Sequence, residues 1–357
     1  QLDDAITTGK LDPAFDIFNR FPQRNRERMA FALELLKTQP DFSVDESFEF
    51  DREHAPWAKD RAELDELWRK RVKNDALSLM LTDKTWPEAR DILQKRYERV
   101  AKRSEQITSD DVFENFMNAF AHVFDPHSSY FSPRNSEEYR IQMSLSYEGI
   151  GASLQMVDDY VTIMEILPGG SAQSSGELTT NDRILAVGQG KSGEMVDVVG
   201  WRLDDVVDQI RGKKGTTVRL DVLAADAGLD SKPVPLTLVR DKVRLEEQAA
   251  RSELIEVESG KATHRIGVVR LPTFYHDFEG ARRGDANYAS STRDVAKLIK
   301  ELKTKQIDGL VVDLRGNGGG SLTEASDLSG LFIDEGPVVQ VRDAQGRVTI
   351  EGDADKG

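Results

Sequence analysis

Hydrophobic positions in the first third of the chain recur at helical spacing. From Asp12-Pro13, Phe15 and Phe18 and then Met29, Phe31, Leu33 and Leu36 form one series, broken only by Pro22, which lacks a helical donor. Leu64, Leu67, Trp68, Val72, Leu77 and Leu81 mark a helix over Glu63 to Leu81. Phe113, Phe116, Phe120 and Val123 mark another, with Ser109 or Asp110 as its cap and Asp125-Pro126 as its stop. Residues 1–140 therefore read as a packed helical domain, in which Trp57, Trp68 and Trp86 are packing aromatics rather than a ligand cage.

Near residue 141 the period changes. Tyr147 to Met156 and Tyr160 to Met164 read as short strands, followed by the turn Pro168-Gly169-Gly170. Ser171 to Ser175 predicts one helical turn, Asp182 to Val187 a strand, and Leu203 to Ile210 an amphipathic helix. Val218 to Leu223 and Val234 to Val239 predict a closing strand pair. Residues 141–244 thus form a compact β-rich module. From 245 to 357 the order is strand (Ile266 to Leu271), helix (Thr292 to Lys303), buried strand (Gly309 to Leu314), helix (Leu322 to Leu331) and strand (Val338 to Val341), an α/β layer. The whole reads as a multidomain α+β chain.

Composition narrows the function classes. Lys plus Arg (48) against Asp plus Glu (63) leaves 48 − 63 = −15 among 357 residues, a balance that repels nucleic acid. Hydrophobic residues are 38% and charged residues 31%, and no apolar run approaches the roughly 18 residues of a membrane span. With no cysteine there is no disulfide, thiolate metal site or cysteine nucleophile, and the compartment stays open. The start, Gln1-Leu2-Asp3-Asp4, has neither Met nor a basic-then-apolar signal and reads as a processed or trimmed chain; the end falls inside the α/β layer.

Two backbone sites stand out. Gly316-Asn317-Gly318-Gly319-Gly320 lies between a strand and a helix, where glycines permit a tight turn with N–H groups aimed at a helix terminus. Three readings compete there. One is a purely structural turn. A second is a dinucleotide site, weakened because Gly316-x-Gly318-x-x-Ser321 lacks the third glycine and Asp313 and Arg315 crowd the turn. The third is an oxyanion hole, which fits the turn best. The other site, Gly149-Ile150-Gly151-Ala152, heads the β-rich module, where unpaired N–H groups can grip a peptide's terminal carboxylate while the adjoining strand edge pairs with its backbone. An ordinary glycine-flanked strand is the competing reading.

The five histidines, His54, His122, His127, His264 and His276, show no His-Glu-x-x-His pair, so no metal or other cofactor is expected. Neither Gly-x-Ser-x-Gly nor Ser-x-x-Lys occurs. The residues alone do not complete a catalytic set.

Asp125-Pro126-His127-Ser128-Ser129-Tyr130, Glu148 to Ala152, Val199 to Val207 and Asp313 to Ala325, in that order, resemble the bacterial tail-specific, or carboxyl-terminal processing, protease family in its long periplasmic Prc-type form. The resemblance covers essentially the whole chain. It implies a helical N-terminal domain, a PDZ module that reads a free and apolar substrate C-terminus, and the first part of a crotonase-like α/β protease core. Gly318, Gly319 and Gly320 match the family's oxyanion turn; Ile150, Gly151 and Ala152, preceded by Gly149, match its carboxylate loop. Asp125 to Tyr130 is read as a structural landmark, and His127 is not taken as a base.

The family's Ser/Lys dyad lies after the point where this sequence stops, so neither Ser321 nor Lys356 is promoted in its place. The implied function is a periplasmic, ATP-independent serine endopeptidase, with a lipoprotein adaptor as a further partner of the helical domain. The alternatives are a non-catalytic PDZ adaptor with a helical docking domain and a crotonase-like acyl-CoA enzyme that would use Gly318 to Gly320 for an enolate.

Overall fold

The computed structural model describes residues 4, 7–49, 52–228, 231–260 and 262–353, so Lys356 lies outside the described residues. The chain divides into two compact units, Gln1–Ser132 and Pro133–Gly357. The architecture is a multidomain α+β fold, helices first and β-rich and α/β parts after.

The first unit is built from α1 (Asp12–Leu35), α2 (Arg61–Met80), α3 (Trp86–Glu105) and α4 (Ser109–Phe124). Met29, Ala32, Leu36, Val72, Ala76, Leu93 and Tyr97 form its core, with Trp68 and Trp86 packed against it. Each fully buried large aliphatic there is worth about 1.5–3 kcal/mol. Pro22 sits inside α1 instead of breaking it. Core residues beyond the proline hold the helix continuous, a case of packing overriding propensity.

Two sequence readings need correction in this unit. Leu77 and Leu81 of the first stripe and Val123 of the second lie exposed instead of in the core, and Trp57, 95% exposed, is a surface aromatic. The cap of α4 is Thr108 rather than Ser109 or Asp110: its hydroxyl accepts from Asp111 N at 3.3 Å, and the Asp111 carboxylate accepts from Thr108 N at 2.8 Å. Thr108 has the extended backbone a cap requires, whereas Ser109 and Asp110 are already helical. The Asp125 landmark is a turn, its carboxylate accepting from His127 N at 3.1 Å and from the Ser128 hydroxyl.

The second unit opens with α5 (Pro133–Ser144) and β1 (Ser146–Gly149), which pairs antiparallel with β8 (Asp241–Arg244). Between those two strands lies a sheet of order β2-β3-β4-β6-β7. Its members are β2 (Ala152–Val157), β3 (Tyr160–Ile166), β4 (Arg183–Gln189), β6 (Thr217–Leu223) and β7 (Val234–Val239), with β5 (Met195–Asp197) on β4. Alternate residues Val218, Leu220 and Val222 of β6 and Leu236 and Leu238 of β7 point inward. They pack with Val206 and Ile210 of α7 (Leu203–Ile210) and with Ala172 of the short α6 (Ser171–Ser175).

Arg240, 4% exposed, fastens the end of α7. Its guanidinium donates to Ile210 O (2.7 Å), Gln209 O (2.9 Å), Gln189 Oε1 (2.7 Å) and Thr216 Oγ1 (3.0 Å). A cation on the orphan carbonyls of a helix C-terminus is favoured by the helix dipole.

The α/β layer contains β9 (Arg251–Ser259), β10 (Ala262–Arg270) and β11 (Gly309–Asp313) in the order β11-β10-β9. β10 and β11 are parallel, and α9 (Ser291–Thr304) lies between them in the chain. Also present are α8 (Phe278–Arg283), α10 (Leu322–Gly330) and the hairpin β12 (Gly336–Arg342) with β13 (Val348–Asp353). Two expectations fail here. Among the described residues β12 pairs with β13 and not with the three-stranded sheet, and β11, read as a buried strand, has a neighbour on one side, with Val311 49% exposed. A continuous apolar run does not say whether a neighbour stands on each side.

Replacing Arg240 by Met should lower the unfolding free energy by about 3 kcal/mol, because the α7 carbonyls lose a charged donor. Urea denaturation followed by circular dichroism measures it; a change below about 0.5 kcal/mol, the scale of an inert surface substitution, would show that the network holds nothing.

Candidate functional site

β11 ends at Asp313, whose carboxylate accepts from the Arg315 guanidinium (2.7 and 2.8 Å) and from Arg315 N (3.0 Å). These contacts hold it well below the usual carboxylate range. The chain then turns through Gly316 (φ +75°), Asn317, Gly318, Gly319 (φ +95°) and Gly320 (φ +142°) into α10. Positive φ at three positions explains why glycine is needed.

The turn is stitched to the segment 271–276. Asn317 Nδ2 donates to Leu271 O at 2.9 Å, Thr273 Oγ1 and Phe274 N donate to Gly319 O at 2.8 and 2.9 Å, and Ser321 N donates to Phe274 O at 2.8 Å. A side chain at Gly320 would meet Phe274 O at 2.4 Å. The three predicted glycines are therefore unequal. Gly319 N–H is taken by Asn317 Oδ1 at 2.7 Å. Gly320 lies between two rungs to Phe274, so its own N–H points to the opposite side. Among the described residues no hydrogen bond claims the N–H of Gly318 or Gly320, and both residues are exposed.

Behind the turn is a buried polar knot that the sequence reading missed. Glu324 is 3% exposed, yet its carboxylate accepts from His276 Nδ1 (2.6 Å), Thr292 N (2.7 Å) and the hydroxyls of Ser290 and Ser291 (3.0 Å each). Burial alone would push this acid up, but the bonds from His276 and Thr292 outweigh it and hold the acid below its ordinary value. Ser321-x-x-Glu324 looks like a capping box, and that signal misleads. Ser321 N–H is already given to Phe274 O, so Glu324 reaches across to another element, and Ser321 serves as the cap of α10, accepting from Glu324 N at 3.3 Å.

The second predicted site lies in the β-rich module. Gly151 (φ +81°) touches Gly170 so closely that a Cβ would meet Gly170 Cα at 2.7 Å. Ile150 O and Gly151 O accept from Ala172 N (2.8 Å) and Leu167 N (2.9 Å), while the N–H groups of Ala152 and Gly151 face the Tyr147 hydroxyl. Gly149 backs the Tyr147 ring, which lies beneath the Arg211 guanidinium at 5.1 Å. From this loop runs a groove of about 470 Å³ bounded by edge strand β2 and by α7, with Ile150, Leu154, Leu203, Val207 and Ile210 on its walls. Arg134 of α5 bonds Asp205 and Asp208 of α7 at 2.8 Å each, and Glu138 pairs with Arg211. Among the described residues no hydrogen bond joins this loop to the glycine turn. The described residues also include no metal-competent cluster of three or more His, Cys, Asp or Glu, and no helix long and apolar enough to cross a membrane.

Three family models match the chain: tail specific protease N-terminal domain over residues 1–134, PDZ domain over 138–223 and peptidase family S41 over 265–357. A tail-specific protease of Haemophilus influenzae is 44% identical over 355 residues, covering 99% of this chain and 48% of that protein. The carboxy-terminal processing protease CtpA of Bacillus subtilis is 29% identical over 248 residues, covering 69% of this chain and 46% of that protein. Among solved structures, the PDZ domain of a carboxy-terminal protease from Vibrio cholerae in complex with peptide shows 54% identity and a TM-score of 0.27, covering 28% of this chain and all of that one. The chain spans about half the length of the curated relatives it matches.

Because Glu324 is held below its ordinary value of 4.5, its contribution to stability is present above that value and is lost as pH falls through the folded-state value. The unfolding free-energy gap between wild type and Glu324→Gln should be widest above the ordinary value of 4.5 and narrow as pH falls below it. Urea titrations across that range decide it; a gap independent of pH would mean the carboxylate is not the stabilising form.

Proposed function

The chain belongs to the tail-specific protease family, and on that premise we propose that the full-length protein is a periplasmic, ATP-independent serine endopeptidase that selects substrates by their free C-termini. In this reading the nucleophilic serine and the general-base lysine lie beyond residue 357, and the present chain supplies the substrate reader and the oxyanion turn. The observation that carries it is the glycine turn. Gly318 and Gly320 present N–H groups that no described residue takes, while Gly319 spends its own on Asn317 to hold the turn.

When the serine oxygen attacks a peptide carbonyl, negative charge develops on the carbonyl oxygen, and the N–H groups of Gly318 and Gly320 are the donors we assign to it. One such donor is worth about 10²–10³ in turnover. The loop Gly149-Ile150-Gly151-Ala152 takes the substrate's terminal carboxylate, the apolar groove takes its last side chains, and the open edge of β2 pairs with its backbone. We place a lipoprotein adaptor on the helical unit, where Ile17, Phe21, Val123 and Phe124 are exposed.

The full-length protein should cleave a peptide with a free apolar C-terminus and lose most of that activity when the terminus is amidated. Residues 1–357 alone should bind the free-acid peptide and cleave neither form, as expected of a reader without a nucleophile. Equal cleavage of acid and amide, or hydrolysis by residues 1–357, would refute the assignment. Gly151→Val forces a side chain against Gly170 at a positive φ, and should weaken peptide binding by about 30-fold, or about 2 kcal/mol. Fluorescence anisotropy on the folded variant measures it, and an unchanged Kd would place the carboxylate elsewhere.

A further inference from the structure

The segment 271–276 and the turn 317–321 are joined by rungs that are neutral: Leu271 to Asn317, Thr273 and Phe274 to Gly319, and Phe274 to Ser321. The next rung, His276 Nδ1 to Glu324 at 2.6 Å, involves an ionisable pair, and Glu324 in turn accepts from Ser290, Ser291 and Thr292 at the start of α9, where backbone bonds from Ser291 N to Tyr275 O (3.0 Å) and from Asp277 N to Ala289 O (2.8 Å) already join the segment. A buried carboxylate only accepts, so Nδ1 carries the hydrogen of this bond. The imidazole is gripped by Phe278 and Tyr288, with ring centroids at 4.7 and 5.3 Å, which fixes where Nδ1 points.

We propose that His276 and Glu324 are a positioning pair for the reaction, setting the direction of the Gly318 and Gly320 donors through the rungs they complete. This rests on the oxyanion assignment made above. The physical argument is one of slack. Glycines at three positive-φ positions leave the turn free to rotate its peptide planes, and the rungs to Phe274 are what orient Gly320. Glu324 stands one helical turn from Ser321. Ser290, Ser291 and Thr292 hold Glu324 from α9, with Thr292 Oγ1 also donating to Glu324 O at 3.0 Å, and His276 adds the side-chain hold from 271–276 itself, the one that sets α10 along 274–276. Without that hold, a displacement of about 1 Å at the donors suffices to cost about 10²-fold in rate.

The test uses the full-length protein. His276→Phe keeps an aromatic ring between Phe278 and Tyr288 but removes the donor, whereas His276→Asn places an amide N–H where Nδ1 was. His276→Phe should lower kcat at least about tenfold with KM and free-acid peptide affinity unchanged, and His276→Asn should restore most of it. Hydrogen–deuterium exchange over residues 316–324, read by mass spectrometry, should speed up in the Phe variant and recover in the Asn variant, whether or not the protein cleaves peptides. Wild-type protein without peptidase activity, together with this exchange pattern, would overturn the oxyanion assignment and leave the hold on the turn established. Unchanged kcat and exchange in His276→Phe overturns the pair. So does an equal fall of kcat, exchange protection and urea stability in both variants, which is the mark of a merely structural residue.

Discussion

A carboxylate with almost no access to water is the constraint on which the α/β layer depends. Moving such an ion out of water costs several kcal/mol unless its oxygens are satisfied, and Glu324 meets that condition with donors from three places: His276, the hydroxyls of Ser290 and Ser291, and the backbone of Thr292. It also lies in the first turn of α10 and at the first turn of α9, so both helix N-termini favour its charge. Three chain segments that are distant in sequence are thereby obliged to meet at one point. The glycine turn, flexible by composition, acquires its shape from that meeting and from Asp313 and Arg315 at its other end.

The groove between β2 and α7 solves a related problem by other means. Presenting backbone N–H groups to a ligand requires backbone that pairs with nothing on one side, which is a liability in any sheet. Here β2 is an edge strand whose open side faces the groove, and α7 forms the other wall. The contact of Gly151 with Gly170 brings the loop into place, and Arg240 holds the far end of α7 through its carbonyls. Arg134 and Glu138 of α5 then tie α7 from outside. These surface pairs are individually weak, whereas buried Arg240 is not.

In the function we propose, both sites put the chemistry on backbone amides and leave side chains the task of orientation. On that reading, substitutions at Glu324, His276 and Arg240 act at a distance from the groups proposed to touch a ligand. That division also explains why the sites are recognisable as glycine patterns while their supports are scattered.

Local period and local stereochemistry were legible from the residues alone. The helical period of α2, the amphipathic stripe of α7, the inward alternation of β6 and β7, and the positive-φ demands of Gly151, Gly316, Gly319 and Gly320 all follow from interactions within a few residues. The order of motifs along the chain was not needed to place the glycine turn between a strand and a helix. What tertiary structure decided was every question of partner. It chose Thr108 over Ser109 as a cap, paired β12 with β13, left Val311 exposed, and sent Glu324 past Ser321 to residues 32 to 48 positions away. A sequence pattern records which face of an element is apolar or which side chain can accept a bond. Which group arrives to meet it depends on loop closure over tens of residues, and that is settled only when the whole core packs.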